Sequence, residues 1–382
     1  MHKNKIWLSS PYLGGNELKY VQGAFDTNWI ASVGDNIDRF EGDLEAYLGD
    51  GYATVLNSGT AAIHLGLILL GVQPGDEVLC QSLTFAASAN PILYLGATPI
   101  FIDSEIQTWN ICPVALEEAI IDRIAKGKRP KVIIAVDLYG MPYQVEAVRK
   151  LANQYAIPIL EDSAEALGSS YKGKKCGTFG DISVLSFNNN KIITTSGGGA
   201  IITKKMSLKE KAFFLATQSQ DKGVSHYQHS EIGYNYKMNN ISAGIGRGQM
   251  EVLDINLGLR KKVHQFYLNL FKNIAGVTVF NVPTDDYCSN HWLTTILIET
   301  SLTKGISRED LRLALLEENI ESRPVMKPMH LQPIFKKYSF YGGDNAGKLF
   351  ENGLCLPSGS NLSKEERDRI ETVILNLFKV GL

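Results

Sequence analysis

From residue 53 to residue 203 the chain repeats one pattern: a short apolar run with little polar alternation, then a helical stretch. The runs at 53–56, 77–81, 98–103, 131–136, 157–160 and 182–185 read as strands. The segments at 61–67, 84–89, 114–125 and 145–155 read as helices between them. Strands that are apolar on both faces need cover on both faces. The pattern therefore predicts a largely parallel sheet with helices above and below it. Ligands of such sheets bind beyond the carboxyl ends of the strands.

Helices are also expected at 17–25 and 38–48, before the first strand, and as one long helix at 240–271. Beyond it the pattern changes to a smaller α+β unit. The expected organisation is a large domain at 1–254, whose N-terminal segment contributes to the substrate cleft, and a small C-terminal domain at 255–382. At 382 residues the chain is long enough for both. A net charge of −2 points to neither nucleic acid nor an anionic membrane. No apolar run approaches the roughly 20 residues that span a bilayer. The N-terminus shows no long apolar stretch of a secretory signal. Five scattered cysteines without a CxxC pair suit a reducing cytoplasm and argue against a disulfide framework or a zinc site. His226 and His229 have no nearby third ligand, so no metal is expected.

The chemistry-bearing residues fall at strand ends. Ser58, Gly59 and Thr60 lie between a strand and a helix, where backbone N–H groups point outward; the segment is an anion site or an ordinary cap. Phe85, where the second strand gives way to its helix, covers a flat ring or joins the core. Asp162 ends the 157–160 run, and Ser186 ends the 182–185 run. Lys191 follows in DISVLSFNNNKIITTSGGGA, a small, polar, glycine-rich setting. Such a lysine is a solvated loop residue, a phosphate ligand or a Schiff-base former. Asn28 and Trp29 shape a binding mouth or pack, and His64 reads as a packed helix residue.

Together these groups meet the needs of pyridoxal 5′-phosphate. Its phosphate requires N–H groups and hydroxyls, its ring an aromatic cover, and its aldehyde a lysine amine. Its pyridine nitrogen requires an anion, because only the protonated ring is a good electron sink. A carboxylate beside a cation gains about 1.4–4 kcal/mol of preference for the charged pair, enough to hold that proton at neutral pH. Asp162 is assigned this role.

The chain resembles the DegT-type nucleotide-sugar aminotransferases, pyridoxal phosphate enzymes of fold type I. The resemblance runs over nearly the whole chain. It is carried by NSGTAAIHL at Asn57, TFAAS at Thr84, EDSAEALGS at Glu161, GTFGDISVLSFNNNKIITTSGGG ending at Gly199, GYNYKMNN at Gly233 and RPVMKPMH at Arg323. It implies an α/β fold-type-I transferase, with a mostly parallel mixed sheet covered on both faces and a smaller α+β domain. It implies that Lys191 holds the cofactor as a Schiff base and shuttles a proton. Asp162 would pair with the ring nitrogen, and Glu165 would lie near the ring hydroxyl. Gly59, Thr60 and Ser186 would bind phosphate, and Phe85 would stack on the ring. Asn235 would reach the phosphate in the other subunit, which makes the active unit a homodimer. Asn28, Trp29, Lys327 and His330 are candidate substrate contacts.

Two departures stand out: Lys237 where the family usually has arginine, and Met326 where it often has an aromatic residue. Both are expected to face the substrate or the subunit interface. SSPYLGGNELKYV, NWIASVGDNIDRFE, HYQHSEIGYNY and CLPSGS are similar to the branch that aminates UDP-linked 4-keto-6-deoxy sugars, notably UDP-2-acetamido-4-keto-2,6-dideoxyhexose. The reaction implied is ping-pong. L-glutamate leaves its amine on the cofactor as pyridoxamine 5′-phosphate, which passes it to C4 of the ketosugar. A dTDP-linked or 3-keto substrate is the nearest rival, followed by a pyridoxal phosphate-binding protein without transaminase activity. A 3-dehydratase relative would be expected to lack the lysine. A nicotinamide oxidoreductase lacks support because no G-x-G-x-x-G follows the first strand.

Overall fold

The computed structural model describes residues 4–379. Its strands, in chain order, are β1 (Tyr52–Leu56), β2 (Glu77–Gln81), β3 (Thr98–Ile102), β4 (Val132–Val136), β5 (Ile159–Asp162), β6 (Ser170–Tyr171), β7 (Lys174–Lys175), β8 (Ile182–Ser186) and β9 (Gly199–Thr203), followed by β10 (Val277–Val279), β11 (Tyr287–Cys288), β12 (Thr294–Ile298), β13 (Arg323–Pro324), β14 (Phe340–Tyr341) and β15 (Gly353–Leu356). Among the described residues, eight of these form one sheet in the order β1-β9-β8-β5-β4-β2-β3-β14.

Neighbours in that sheet are parallel except at β9, which runs antiparallel to both β1 and β8. The exception has a local cause. The chain returns from β8 through the Lys191 loop, too short for a parallel crossover, so β9 must reverse. Ladder pairing begins at Gly199, two residues before the expected Ile201, because Gly199 pairs with both Leu56 and Ser186.

Side-chain alternation explains the uniformly apolar runs. In β4, Ile133 and Ala135 enter one core with Leu79, Ile100, Leu116 and Val148. Val132, Ile134 and Val136 enter the opposite core with Leu65, Val78, Leu160 and Val184. Both faces are dry, so neither can tolerate polar residues. The helix Gly59–Leu69 follows β1 and packs on β5, β8 and β9.

The C-terminal part builds a second sheet, β10-β12-β15-β13, with antiparallel neighbours. Its core joins Val263, Tyr267, Ile296, Leu311, Leu354 and Ile370. Helices Arg308–Glu317 and Lys364–Phe378 each begin with a capping box, Ser307 with Asp310 and Ser363 with Glu366. The chain also crosses between units. Ile6 bridges to Ile320 and lies in the second core, while β14 adds an edge to the large sheet. The single helix expected at 240–271 is two, Asn240–Met250 and Leu253–Phe271. Val252 between them leaves helical geometry at φ −113° and ψ 7°, and the second helix sets off from that bend.

Candidate active site

The carboxyl ends of β1, β5 and β8 open into a cavity of about 390 Å³. Ser58, Gly59, Thr60, Phe85, Asp162, Glu165, Ser186 and Lys191 all line it. These residues come from four separate strand–loop junctions and meet because parallel strands deliver their ends to one edge.

One wall is the start of the Gly59–Leu69 helix. Ser58 caps it by accepting the Ala61 N–H at 3.1 Å. The first N–H groups of a helix have no partner within it, and the helix dipole favours an anion there. The lysine loop presses directly on this end. A Cβ on Gly199 would lie 2.5 Å from the Gly59 nitrogen, and one on Gly59 would lie 3.1 Å from the Ser186 Cβ. Only glycine lets loop and helix approach so closely while leaving the Gly59 and Thr60 amides and the Ser186 hydroxyl together. A phosphate fits that cradle.

The floor carries the carboxylates. Asp162 is buried; its Oδ2 accepts from Ser88 Oγ at 2.7 Å and its Oδ1 from the Ala164 N–H at 3.2 Å. Ser88 in turn meets Thr84 Oγ1 at 2.7 Å. Burial pushes the Asp162 pKa upward, against the pull of the Ser88 hydrogen bond. Burial also raises the Glu165 pKa, opposed by the charge of Lys191. Lys191 Nζ lies 3.3 Å from Glu165 Oε1. Tyr139 donates its backbone N–H to Glu165 Oε2 at 2.8 Å from a left-handed conformation, φ 55°. A cationic pyridinium beside Asp162 would supply the charge this buried carboxyl lacks, so the donor set fits pyridoxal phosphate.

Phe85 precedes the Ala86–Tyr94 helix and is 64% exposed, which leaves its ring face open to the cavity rather than to the core. Asn235 is exposed and does not line the cavity; its carbonyl accepts from Asn57 Nδ2 at 3.1 Å. Asn28, Trp29, Lys327 and His330 also lie outside the cavity lining. The Trp29 carbonyl accepts from Asn240 Nδ2, and Lys327 is exposed. His330 Nδ1 meets Ser82 Oγ at 2.6 Å, and its ring stacks on Phe340. His64 packs as expected, edge-on to Tyr94 and Tyr234, and burial lowers its pKa.

Of the two departures, Met326 lines the cavity. Lys237 does not line the cavity. It is buried within its own chain, with Nζ 2.9 Å from Glu41 Oε1. A short point charge meets that single carboxylate without the width of a guanidinium. Sequence reasoning also missed Tyr139, Trp292, Arg323 and Cys355, which line the cavity from distant parts of the chain. Arg323 stood in the RPVMKPMH segment, but its pairing with Glu321 at 2.7 Å and its place at the mouth required the fold. Asn188 also lines the cavity.

The sequence profile described as "DegT/DnrJ/EryC1/StrS aminotransferase family" matches residues 11–375. EpsN of Bacillus subtilis (strain 168), described as a pyridoxal phosphate-dependent aminotransferase, is 47% identical over 99% of this chain and 97% of its own. The GDP-perosamine synthase of Escherichia coli O157:H7 is 39% identical over 93% and 94%. A Campylobacter jejuni UDP-4-amino-4,6-dideoxy-N-acetyl-beta-L-altrosamine transaminase is 30% identical over 92% and 92%. Among solved structures, Spr1654 of Streptococcus pneumoniae, described as a sugar aminotransferase and crystallised in its PMP form, superposes with a TM-score of 0.89 at 27% identity, covering 98% of this chain and 99% of that one.

Proposed function

This chain belongs to the DegT/DnrJ/EryC1/StrS aminotransferase family and is a pyridoxal phosphate-dependent sugar aminotransferase; on that premise we propose that it moves an amino group from L-glutamate to C4 of a nucleotide-linked 4-keto-6-deoxy sugar. The observation that carries the reading is the placement of Lys191 Nζ, 3.3 Å from Glu165, in one cavity with Asp162 and the Gly59–Thr60–Ser186 cradle.

The bound cofactor supplies the aldehyde and the electron-withdrawing ring. Lys191 would hold the aldehyde and would move a proton at the carbon that gains or loses the amine. Asp162, fixed by Ser88 and the Ala164 N–H, keeps the ring nitrogen protonated. Glu165 stands beside the lysine and would lie near the ring hydroxyl. The helix start and Ser186 would hold the phosphate, and Phe85 would cover the ring. Asn235, exposed next to Asn57, completes the phosphate site of a second copy in a homodimer. Trp29, Asn28, Lys327 and His330 would meet the nucleotide sugar at the mouth. The enzyme would work in a reducing cytoplasm, where its five free cysteines are stable. Among the described residues, no helix is long and apolar enough to cross a membrane.

A UDP-linked 2-acetamido-4-keto-2,6-dideoxyhexose is the first substrate reading, supported by the similar segments and by the C. jejuni relative. A GDP-linked sugar is the second, favoured by the 39% identity to a GDP-perosamine synthase. The test is the absorbance of the cofactor-loaded enzyme. L-glutamate alone should convert it to the pyridoxamine form. UDP-, GDP- and dTDP-linked 4-ketosugars should then be tried in turn, and the one that restores the original spectrum fastest names the substrate. A spectrum unmoved by glutamate would remove the donor assignment.

A further inference from the structure

Trp292 comes from a loop with no hydrophobic periodicity, yet it is 3% exposed and touches the reactive loop twice. The indole N–H donates to the Asn190 carbonyl at 2.6 Å, the peptide immediately before Lys191. The indole face receives the Lys191 ammonium, with Nζ 4.2 Å from the ring centroid. The indole also stacks on Tyr139, 6.1 Å between centroids and 16° from parallel. Tyr139 donates its backbone N–H to Glu165. Trp292 therefore touches both the lysine and the residue that holds its carboxylate partner.

The indole is itself clamped. Arg260 is fully buried, and its described hydrogen-bond partners are neutral: Ser360 Oγ at 3.1 Å, the Trp292 carbonyl, and Ser9 Oγ at 2.9 Å. Ser9 Oγ also donates to the Asn190 carbonyl at 3.0 Å. One carbonyl thus receives two donors, from opposite ends of the chain, and both are braced by one guanidinium. A buried cation held by neutral acceptors is costly, and two of its three contacts, those to Trp292 and Ser9, brace the lysine loop.

We infer that Trp292 is the positioning residue of Lys191: its N–H fixes the loop carbonyl that aims the side chain, and its face is the resting place of the ammonium when the lysine is not joined to the cofactor. The inference rests on the cofactor assignment and is independent of the sugar and of its nucleotide.

The experiment measures capture of added pyridoxal phosphate by cofactor-free enzyme. The Lys191 amine condenses with the aldehyde and one water leaves. Stopped-flow absorbance gives the rate, and borohydride reduction followed by peptide mass locates the bond. Trp292→Phe keeps a six-membered ring beside Tyr139 and removes the N–H together with the five-membered ring that carries it. It should slow capture about five-fold, the worth of one hydrogen bond. Ser9→Ala should slow it in the same direction, and the double variant should fall short of the product of the two, because both act on one carbonyl. Binding of pyridoxamine phosphate, which cannot join a lysine, should stay within about two-fold in every variant. Capture at the native rate in Trp292→Phe would overturn the inference and leave the indole a plain wall. A parallel loss of pyridoxamine phosphate binding would also overturn it, since it would show general loosening of the site.

Discussion

Ser88 Oγ donates to Asp162 Oδ2 at 2.7 Å, so the carboxylate proposed to pair with the cofactor ring is gripped from the helix that follows Phe85. The grip orients Asp162 but does not remove the cost of its burial, which raises its pKa. Asp162→Asn should therefore leave the cofactor-free enzyme as stable as wild type or more stable by roughly 1 kcal/mol. The same change should lower kcat/KM by about 100-fold or more, because the ring nitrogen loses its anion. Urea midpoints and steady-state kinetics on one preparation check both halves. A variant that is unstable and active would contradict the assignment.

Lys191→Ala should abolish covalent capture of pyridoxal phosphate while leaving pyridoxamine phosphate binding measurable. Borohydride should then fix no cofactor to the protein. Any trapped adduct in this variant would point to another amine as the carrier.

Gly199→Ala would place a Cβ 2.5 Å from the Gly59 nitrogen, a contact that backbone must yield to. Overpacking of this kind costs about 1–3 kcal/mol. The displaced groups are those proposed to hold the phosphate, so cofactor affinity should fall more than thermal stability. Equilibrium dialysis with pyridoxamine phosphate and a thermal melt separate the two effects.

Glu41 accepts from Lys237 at 2.9 Å and from the Val55 N–H at 3.1 Å, and pairs with Lys209 at 3.4 Å. Glu41→Ala strands a buried ammonium and should destabilise the chain by about 3 kcal/mol, as read from denaturant midpoints. Lys237→Met together with Glu41→Met removes both charges of the buried pair and should recover part of that loss, since Lys209 keeps Glu45 but the Val55 N–H loses its acceptor.

His264 and His291 stack with ring centroids 3.9 Å apart and 14° between planes. Burial holds their pKa values down, to about 4 and about 3; the charge of His264 adds to the effect at His291, and the Asn281 hydrogen bond opposes it at His264. The unfolded chain protonates both near pH 6.5, whereas the folded chain resists. Protons are thus bound more tightly by the unfolded state, and stability should fall as pH drops from 6.5 towards 4. His291→Asn suits the left-handed φ of 49° and should flatten that decline. Urea midpoints at pH 7, 6 and 5 give the comparison.

Much of this site could be read before the fold was known. Gly59, Thr60, Phe85, Asp162, Glu165, Ser186 and Lys191 each sit at or just past a strand end, and strand ends are visible as the close of an apolar run. Their meeting in one cavity follows from parallel strands sharing an edge. Helix breaks were less legible. Nothing in the local sequence around Val252 marks a bend as proline would, and the two segments fuse into one periodic stretch.

The amino-acid sequence by itself determined the sheet, its polarity and the residues at its carboxyl edge, because two-sided burial imposes a local pattern that each strand carries alone. Tertiary structure alone decided which side chains close the cavity. Trp292 and Asn190 are 102 positions apart, and Arg260 reaches Ser9 across 251. Such contacts leave no periodicity in the chain. They also decided that Lys237 is an internal ion pair, since burial is a property of everything packed around a residue rather than of its neighbours in sequence.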